Sequence, residues 1–318
     1  MGASIGFLLL GFILLVAGGE FLVRASVGLS LKLNLSRLII GLTVVSFATS
    51  APELLVSVQG AINGSSGIAL GNVVGSNIAN LGLVLALTAI ISSLEIDRDF
   101  FKFNWPWMMG FSILLYLLIS WDQNLTRLEG LILVGLLVLF VFFLIRKAKK
   151  KPPMILPDEE IASQSWGKII FFMIAGGGLL WGGSELLVDG ATTIATYLEI
   201  PESVIAVSMV AIGTSVPELA ASIIAAVKKE KAISLGNLIG SNIFNIGSVL
   251  GITSLIEPII LDESNLGLLE NDIFWMLGFA FCLLPLAFIS KQYTINSYKG
   301  LLMLGAYALF IYLIFQTP

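Results

Sequence analysis

Long apolar runs separated by short polar stretches dominate this chain. They fall at roughly 4–27, 37–62, 67–92, 104–121 and 127–146, and again at roughly 166–189, 202–227, 232–257, 272–290 and 299–316. A helix of about twenty residues crosses the ~30 Å hydrocarbon core of a bilayer. The pattern therefore predicts ten transmembrane helices, five in each half. Between the two sets lies Arg146-Lys147-Ala148-Lys149-Lys150-Lys151-Pro152-Pro153, then Pro157-Asp158-Glu159-Glu160. A polar stretch this short cannot build a core of its own. It reads as a linker over 147–165 between a first five-helix unit, 1–146, and a second, 166–318. The expected fold class is an all-α polytopic membrane protein.

The polar interruptions within these runs are duplicated. Gly71-Asn72-Val73-Val74-Gly75-Ser76-Asn77-Ile78-Ala79-Asn80-Leu81-Gly82 returns as Gly236-Asn237-Leu238-Ile239-Gly240-Ser241-Asn242-Ile243-Phe244-Asn245-Ile246-Gly247, 165 residues later. At the same offset Ala48-Thr49-Ser50-Ala51-Pro52-Glu53 returns as Gly213-Thr214-Ser215-Val216-Pro217-Glu218, and Glu20-Phe21-Leu22-Val23 as Glu185-Leu186-Leu187-Val188. Repeated polar motifs in an apolar chain point to a transporter with its site between the two copies.

Five spans per copy is an odd number, so the second copy enters the membrane from the opposite side. Charge agrees. With the linker placed in the cytoplasm, 16 of the 17 Lys and Arg residues fall on cytoplasmic connections and only Arg127 falls outside, as the positive-inside rule requires. The acidic groups Glu199/Glu202 and Glu257/Asp262/Glu263/Glu270/Asp272 then lie on the outer face, as do both termini. Two inverted-topology repeats are expected.

Glu53 and Glu218 sit well inside apolar spans, where a lone carboxylate costs roughly 2.5–3.5 kcal/mol. Each follows a proline, which lacks an N–H and crowds the carbonyl four residues back. A break or kink is thus expected near residues 46–52 and again near 211–216. Irregular backbone at membrane depth is tolerated where it lines a cavity. Free carbonyls, the hydroxyls of Thr49, Ser50, Thr214 and Ser215 and two carboxylates make an all-oxygen environment suited to hard cations. Ser76 and Asn80, like Ser241 and Asn245, are four apart and share a helix face, which could supply the facing wall. Gly71/Gly75 and Gly236/Gly240 are spaced for close helix packing. Glu20 and Glu185 lie near span ends, where a structural or gating role is expected.

Composition narrows the chemistry. The chain is 57% hydrophobic and 12% charged, about half the charge of soluble domains. It has no histidine and one cysteine, Cys282, which argues against a zinc or copper centre. A net charge of −4 with segregated signs does not suggest nucleic-acid binding. The first helix lacks the basic start of a cleavable signal, so it is expected to be retained. No nucleophile–base set or cofactor fingerprint accompanies the carboxylates. The chain is not expected to be an enzyme or to need a cofactor.

These motifs resemble the two α-repeats of the cation/calcium exchanger superfamily, most closely the prokaryotic sodium/calcium exchangers, with a pattern G-T-S-x-P-E then G-N-x-x-G-S-N in inverted copies. The likeness covers essentially the whole chain. It implies antiport of Na⁺ against Ca²⁺ by alternating access in a prokaryotic plasma membrane. Position by position, it implies that Glu53 and Glu218 are shared carboxylates and that the Thr49 and Thr214 carbonyls complete the Ca²⁺ site. It further implies that Ser50, Ser76, Ser215, Ser241 and the carbonyls of Ser46 and Ala211 serve Na⁺, and that Asn80 and Asn245 line the centre. Ala48 departs from the family glycine. Asn245 departs from the aspartate of potassium-dependent members, which argues against K⁺ co-transport. More than two Na⁺ per Ca²⁺ would make exchange electrogenic. A Ca²⁺/H⁺ antiporter is the nearest alternative and a cation channel a more distant one.

Overall fold

The structure is a computed structural model. It describes residues 2–150, 164–198, 202–261, 265–289 and 293–314, without the side chains at 2, 66, 149–150 and 202–212. Most of the expected linker, Glu199, Asp262 and Glu263 fall outside what is described, as does the side chain of the site candidate Ala211.

The apolar runs form helices: α1 (Gly2–Leu33), α2 (Arg37–Thr49), α3 (Ala51–Ile62), α4 (Gly67–Ile91), α5 (Arg98–Asp122), α6 (Arg127–Lys150), α7 (Trp166–Tyr197), α8 (Glu202–Val227), α9 (Lys231–Ile256), α10 (Leu268–Phe288) and α11 (Ser297–Ile314). Among the described residues eight helices are long and apolar enough to cross a membrane, and the pair α2–α3, bent by 43°, makes a ninth candidate. In α8 the described apolar stretch is Gly213–Val227. Local chemistry sets the ends. α1 stops where Asn34 turns left-handed (φ 52°) and Leu35 N–H reaches back to the Ser30 carbonyl at 3.1 Å, a closure that caps orphan carbonyls. Ser36 then accepts Ile39 N–H at 3.3 Å and starts α2.

Equivalent helices of the two copies meet backbone to backbone. A Cβ at Gly11 would lie 2.8 Å from the Gly183 carbonyl, and one at Gly18 2.9 Å from the Gly176 carbonyl. Position numbers rise along α1 as they fall along α7, so the two helices run antiparallel. Gly11 and Gly176, and Gly18 and Gly183, are also partners in the 165-residue repeat, so the contact is self-complementary. Small residues permit this approach where lipid offers no hydrophobic drive between helices.

Cross-copy contacts recur at the helix ends. Strand β1 (Leu94–Glu95) pairs antiparallel with β4 (Thr294–Ile295), and β2 (Asn124–Leu125) with β3 (Ile259–Ile260). Arg37 holds Glu230 through both carboxylate oxygens at 2.6 and 2.7 Å, and Lys228 meets Glu20; on the first copy's own side, Lys147 approaches Asp99 at 3.7 Å. Each of these contacts joins connections that the charge pattern assigns to one face of the membrane.

Packing divides into two buried clusters. One gathers Leu15, Leu22 and Val23 of α1 with Leu180 of α7 and Val216 and Ala221 of α8. The larger is built on α4, α9 and the helices around them. The predicted glycine packing is present at Gly236 and Gly240: a Cβ would come 2.4 Å from the Leu38 carbonyl at the first and 2.6 Å from the Leu42 carbonyl at the second. The repeat equivalents of Leu42 and Ser46, which would face Gly75, are positions 207 and 211, whose side chains are outside the described set.

Candidate ion-binding site

The bend between α2 and α3 falls at Ser50 (φ −85°, ψ 6°), two residues before Pro52. α3 restarts at Ala51, so Pro52 and Glu53 occupy its first turn. There proline's missing N–H costs nothing, since first-turn donors have no helical acceptor, and the positive end of the helix favours a carboxylate. The proline thus places Glu53 at a helix start inside the protein.

Pro217 does not repeat this. The sequence predicts a break or kink at 211–216; no break occurs, since α8 continues from Glu202 to Val227 with Pro217 inside it. The physical reason lies in a neighbouring helix. Pro217 cannot bond the Gly213 carbonyl, but Ser184 of α7 donates its hydroxyl to that oxygen at 2.6 Å. The displaced carbonyl is satisfied from outside, and the helix need not open. The first copy has Gly19 at the corresponding position, where a Cβ would run into Ile224. No equivalent hydroxyl reaches Ala48.

Both carboxylates, one from each copy, are fully buried, at 0% exposure. Neither has a salt-bridge partner among the described residues. Thr49, Ser50, Ser76, Asn80, Ser215, Ser241 and Asn245 are buried with them, and Thr214 is half-buried. The copies interlock reciprocally: Thr49 Oγ1 lies 3.4 Å from Ser241 Oγ, and Thr214 Oγ1 3.1 Å from Ser76 Oγ. Ser50 Oγ donates to Glu218 Oε1 at 3.4 Å. The Ser46 hydroxyl bonds the Gly41 and Asn237 carbonyls, and the Ser46 carbonyl accepts Ser50 N–H at 2.9 Å.

Buried polar atoms are normally paired, and at this site several from both copies are not, alongside others elsewhere in the protein. Both oxygens of Glu53, Oε2 of Glu218, Oγ of Ser215, Oδ1 of Asn245 and both amide atoms of Asn80 have no partner among the described residues. Most are oxygens, and two groups are anionic. A hard cation satisfies such a set and repays part of the several kcal/mol that burying each carboxylate costs. The donor set fits Ca²⁺ and Na⁺ as transported substrates.

Several supporting residues lie in the repeated motif without having been singled out from the sequence. Asn72 donates to the Glu53 carbonyl at 3.1 Å and to Ser57 Oγ at 3.0 Å, bracing α3 beneath Glu53. Asn237 donates to Ser222 at 3.1 Å and accepts from Thr49 Oγ1 at 3.2 Å. Asn77 and Asn242 form a cross-copy contact. Their signal was the exactness of the repeat itself. Nothing in the periodicity foretold the wide π-turns at Asn80–Leu85 and Asn245–Leu250, a helical irregularity common at functional sites. In each turn a glycine admits close neighbours: Phe279 and Tyr307 against Gly82, and Phe111 and Leu137 against Gly247. Glu20 stands apart from the site, bonded to Arg24 at 2.6 Å and to Lys228; Glu185 accepts from Trp181 at 3.1 Å.

Known proteins share this architecture. The profile of the family described as sodium/calcium exchanger protein matches residues 3–146 and 168–316. CaxA of Alkalimonas amylolytica is 35% identical over 317 residues, covering 98% of each chain. The sodium/calcium exchanger MaX1 of Methanosarcina acetivorans is 32% identical over 349 residues, covering 97% of each. A solved structure of the sodium-calcium exchanger NCX_Mj, soaked with 2.5 mM Na⁺ and 0.1 mM Ca²⁺, superimposes with a TM-score of 0.78 at 32% identity over 97% of each chain.

Proposed function

This chain belongs to the sodium/calcium exchanger protein family, a transporter of cations against Ca²⁺ rather than an enzyme, and from that premise we propose that it exchanges Na⁺ for Ca²⁺ by alternating access. The observation that carries the proposal is the pair of fully buried carboxylates from the two copies, Glu53 and Glu218, set among unpartnered oxygens with no cationic side chain among the described residues to neutralise them. Two negative charges match one Ca²⁺. Uncharged oxygens from Thr49, Thr214, Ser50, Ser215, Ser76, Ser241, Asn80 and Asn245, with the carbonyls of Ser46 and Ala211, extend the set for Na⁺ at overlapping positions.

Ten spans in two inverted five-helix repeats provide the frame. The antiparallel, self-complementary meeting of α1 with α7 and the crossed pairing of β1 with β4 and β2 with β3 support it. Such a frame places the site at the interface of two oppositely oriented copies, where rocking one body against the other exposes it alternately to each face. The linker and its basic cluster face the cytoplasm, and both termini lie outside, in a prokaryotic plasma membrane. Exchange moves more than two Na⁺ per Ca²⁺, so it is electrogenic. The amide at Asn245 leaves no third carboxylate for K⁺, so exchange is K⁺-independent.

The test is ⁴⁵Ca²⁺ flux in proteoliposomes under an imposed Na⁺ gradient at clamped pH, then under an imposed H⁺ gradient without Na⁺. Flux that follows Na⁺ and ignores H⁺ is the expected result. The converse would make the chain a Ca²⁺/H⁺ antiporter, and flux that fails to saturate would make it a channel.

A further inference from the structure

We propose that Asn77 is a positioning residue for the ion site: it decides which end of the Asn245 carboxamide faces the cation. The inference rests on the reading of Asn245 as a residue that lines that site. A carboxamide has one accepting and one donating end, and only the oxygen can ligate a hard cation.

The orientation follows from a main-chain group. The Asn242 carbonyl can only accept, so the Asn77 atom facing it at 3.2 Å must be Nδ2. Met276 Sδ, another acceptor, lies 3.7 Å from the same nitrogen. Asn77 therefore presents Oδ1 on its other side. That oxygen can only accept, so the Asn245 atom 3.1 Å away must be Nδ2. Asn245 Oδ1 is left buried, without a partner and turned away from Asn77. Turning the amide over would set two oxygens against each other and aim an NH₂ group at the cation.

The other copy lacks this relay. Asn242, the repeat partner of Asn77, spends its own Nδ2 on the Leu238 carbonyl of its helix at 2.7 Å. Asn80, the partner of Asn245, has neither amide atom bonded among the described residues. Of the two central asparagines, Asn245 is held as an oxygen ligand, while Asn80 is free to offer either end. A backbone carbonyl of one copy thus fixes a ligand through a side chain of the other.

The experiment compares Asn77→Leu, which is near the native size but offers no acceptor, with Asn77→Asp, which as the neutral acid keeps both the acceptor for Asn245 and an O–H for the Asn242 carbonyl. Asn245→Ala and the double variant Asn77→Leu/Asn245→Ala complete the set. Two readouts are taken: the Ca²⁺ KM and maximal rate of flux in proteoliposomes, and the Ca²⁺-dependent rise in Tm of the purified protein, which does not depend on the coupling ion. Asn77→Leu should raise the Ca²⁺ KM about tenfold, or ~1.4 kcal/mol, with a smaller change in rate. Asn77→Asp should bring KM back to within about threefold of the unmodified protein. The double variant should be no worse than Asn245→Ala alone. Asn77→Ala replaces the leucine variant if that chain does not fold. An unchanged KM in Asn77→Leu, an equal rise in the Leu and Asp variants, or multiplying effects in the double variant would each overturn the role. If Asn245→Ala leaves both readouts unchanged, the ligand reading beneath the proposal has failed. If it shifts them while Asn77→Leu does not, the positioning role alone has failed.

Discussion

Replacing Glu53 or Glu218 by Gln should abolish Ca²⁺ transport, and the magnitude follows from burial. Both side chains have no exposed surface and no salt bridge among the described residues, so solvent does not screen a cation bound between them. A Ca²⁺ ion about 2.4 Å from a carboxylate oxygen gains on the order of 10 kcal/mol from that charge at an effective dielectric near 20. Removing the charge also removes several kcal/mol of burial cost, and the Gln oxygen remains a weak ligand. A net loss of only ~4 kcal/mol is already a thousandfold in affinity. Glu20 differs in kind. It is partly exposed and paired with Arg24 and Lys228, a setting where an ion pair contributes about 1 kcal/mol or less. Glu20→Gln should therefore keep substantial activity. The assay is Na⁺-driven ⁴⁵Ca²⁺ uptake by each variant in proteoliposomes, with monodispersity confirming the fold. Uptake at the unmodified rate by either central variant would refute the assignment.

Other outcomes are expected. At a fixed Na⁺ gradient, an inside-negative potential set with valinomycin and K⁺ should favour Na⁺ influx and Ca²⁺ extrusion. Each net charge contributes roughly 2.3 kcal/mol per 100 mV, about a fiftyfold change in the Ca²⁺ gradient sustained, and indifference to the potential would mean electroneutral exchange. Replacing K⁺ by choline on both sides, with the potential clamped, should leave Na⁺-driven flux unchanged; a strict K⁺ requirement would overturn the reading of Asn245. Ser184→Ala should leave the Gly213 carbonyl buried and unbonded, a loss of about 1–3 kcal/mol visible as a fall of several degrees in Tm. An unchanged Tm would show that Ser184 does not stabilise α8 at Pro217.

The sequence by itself determined the all-helical membrane class and the family, and it singled out the candidate site residues, because each of these readings rests on one-dimensional rules. Bilayer thickness fixes how long an apolar run must be. The placement of Lys and Arg sorts the connections by face, and the spatial pairing of Arg37 with Glu230 and of β1 with β4 respects that sorting. The 165-residue repeat singled out Glu53, Glu218 and the Ser/Asn pairs, because duplicated polar groups at membrane depth are too costly to keep without use. Tertiary structure decided where the two copies differ. The same Pro-Glu sequence bends one helix at Ser50 and leaves the other continuous at Pro217, since a hydroxyl from α7 reaches the freed carbonyl in one copy and a glycine stands in its place in the other. The same motif asparagine ties down Asn245 but not Asn80, since Asn77 bonds across the copies and Asn242 bonds within its own helix. Such differences depend on which group from a distant helix reaches an unpaired polar atom first. A local pattern is identical in both copies and carries no record of that competition.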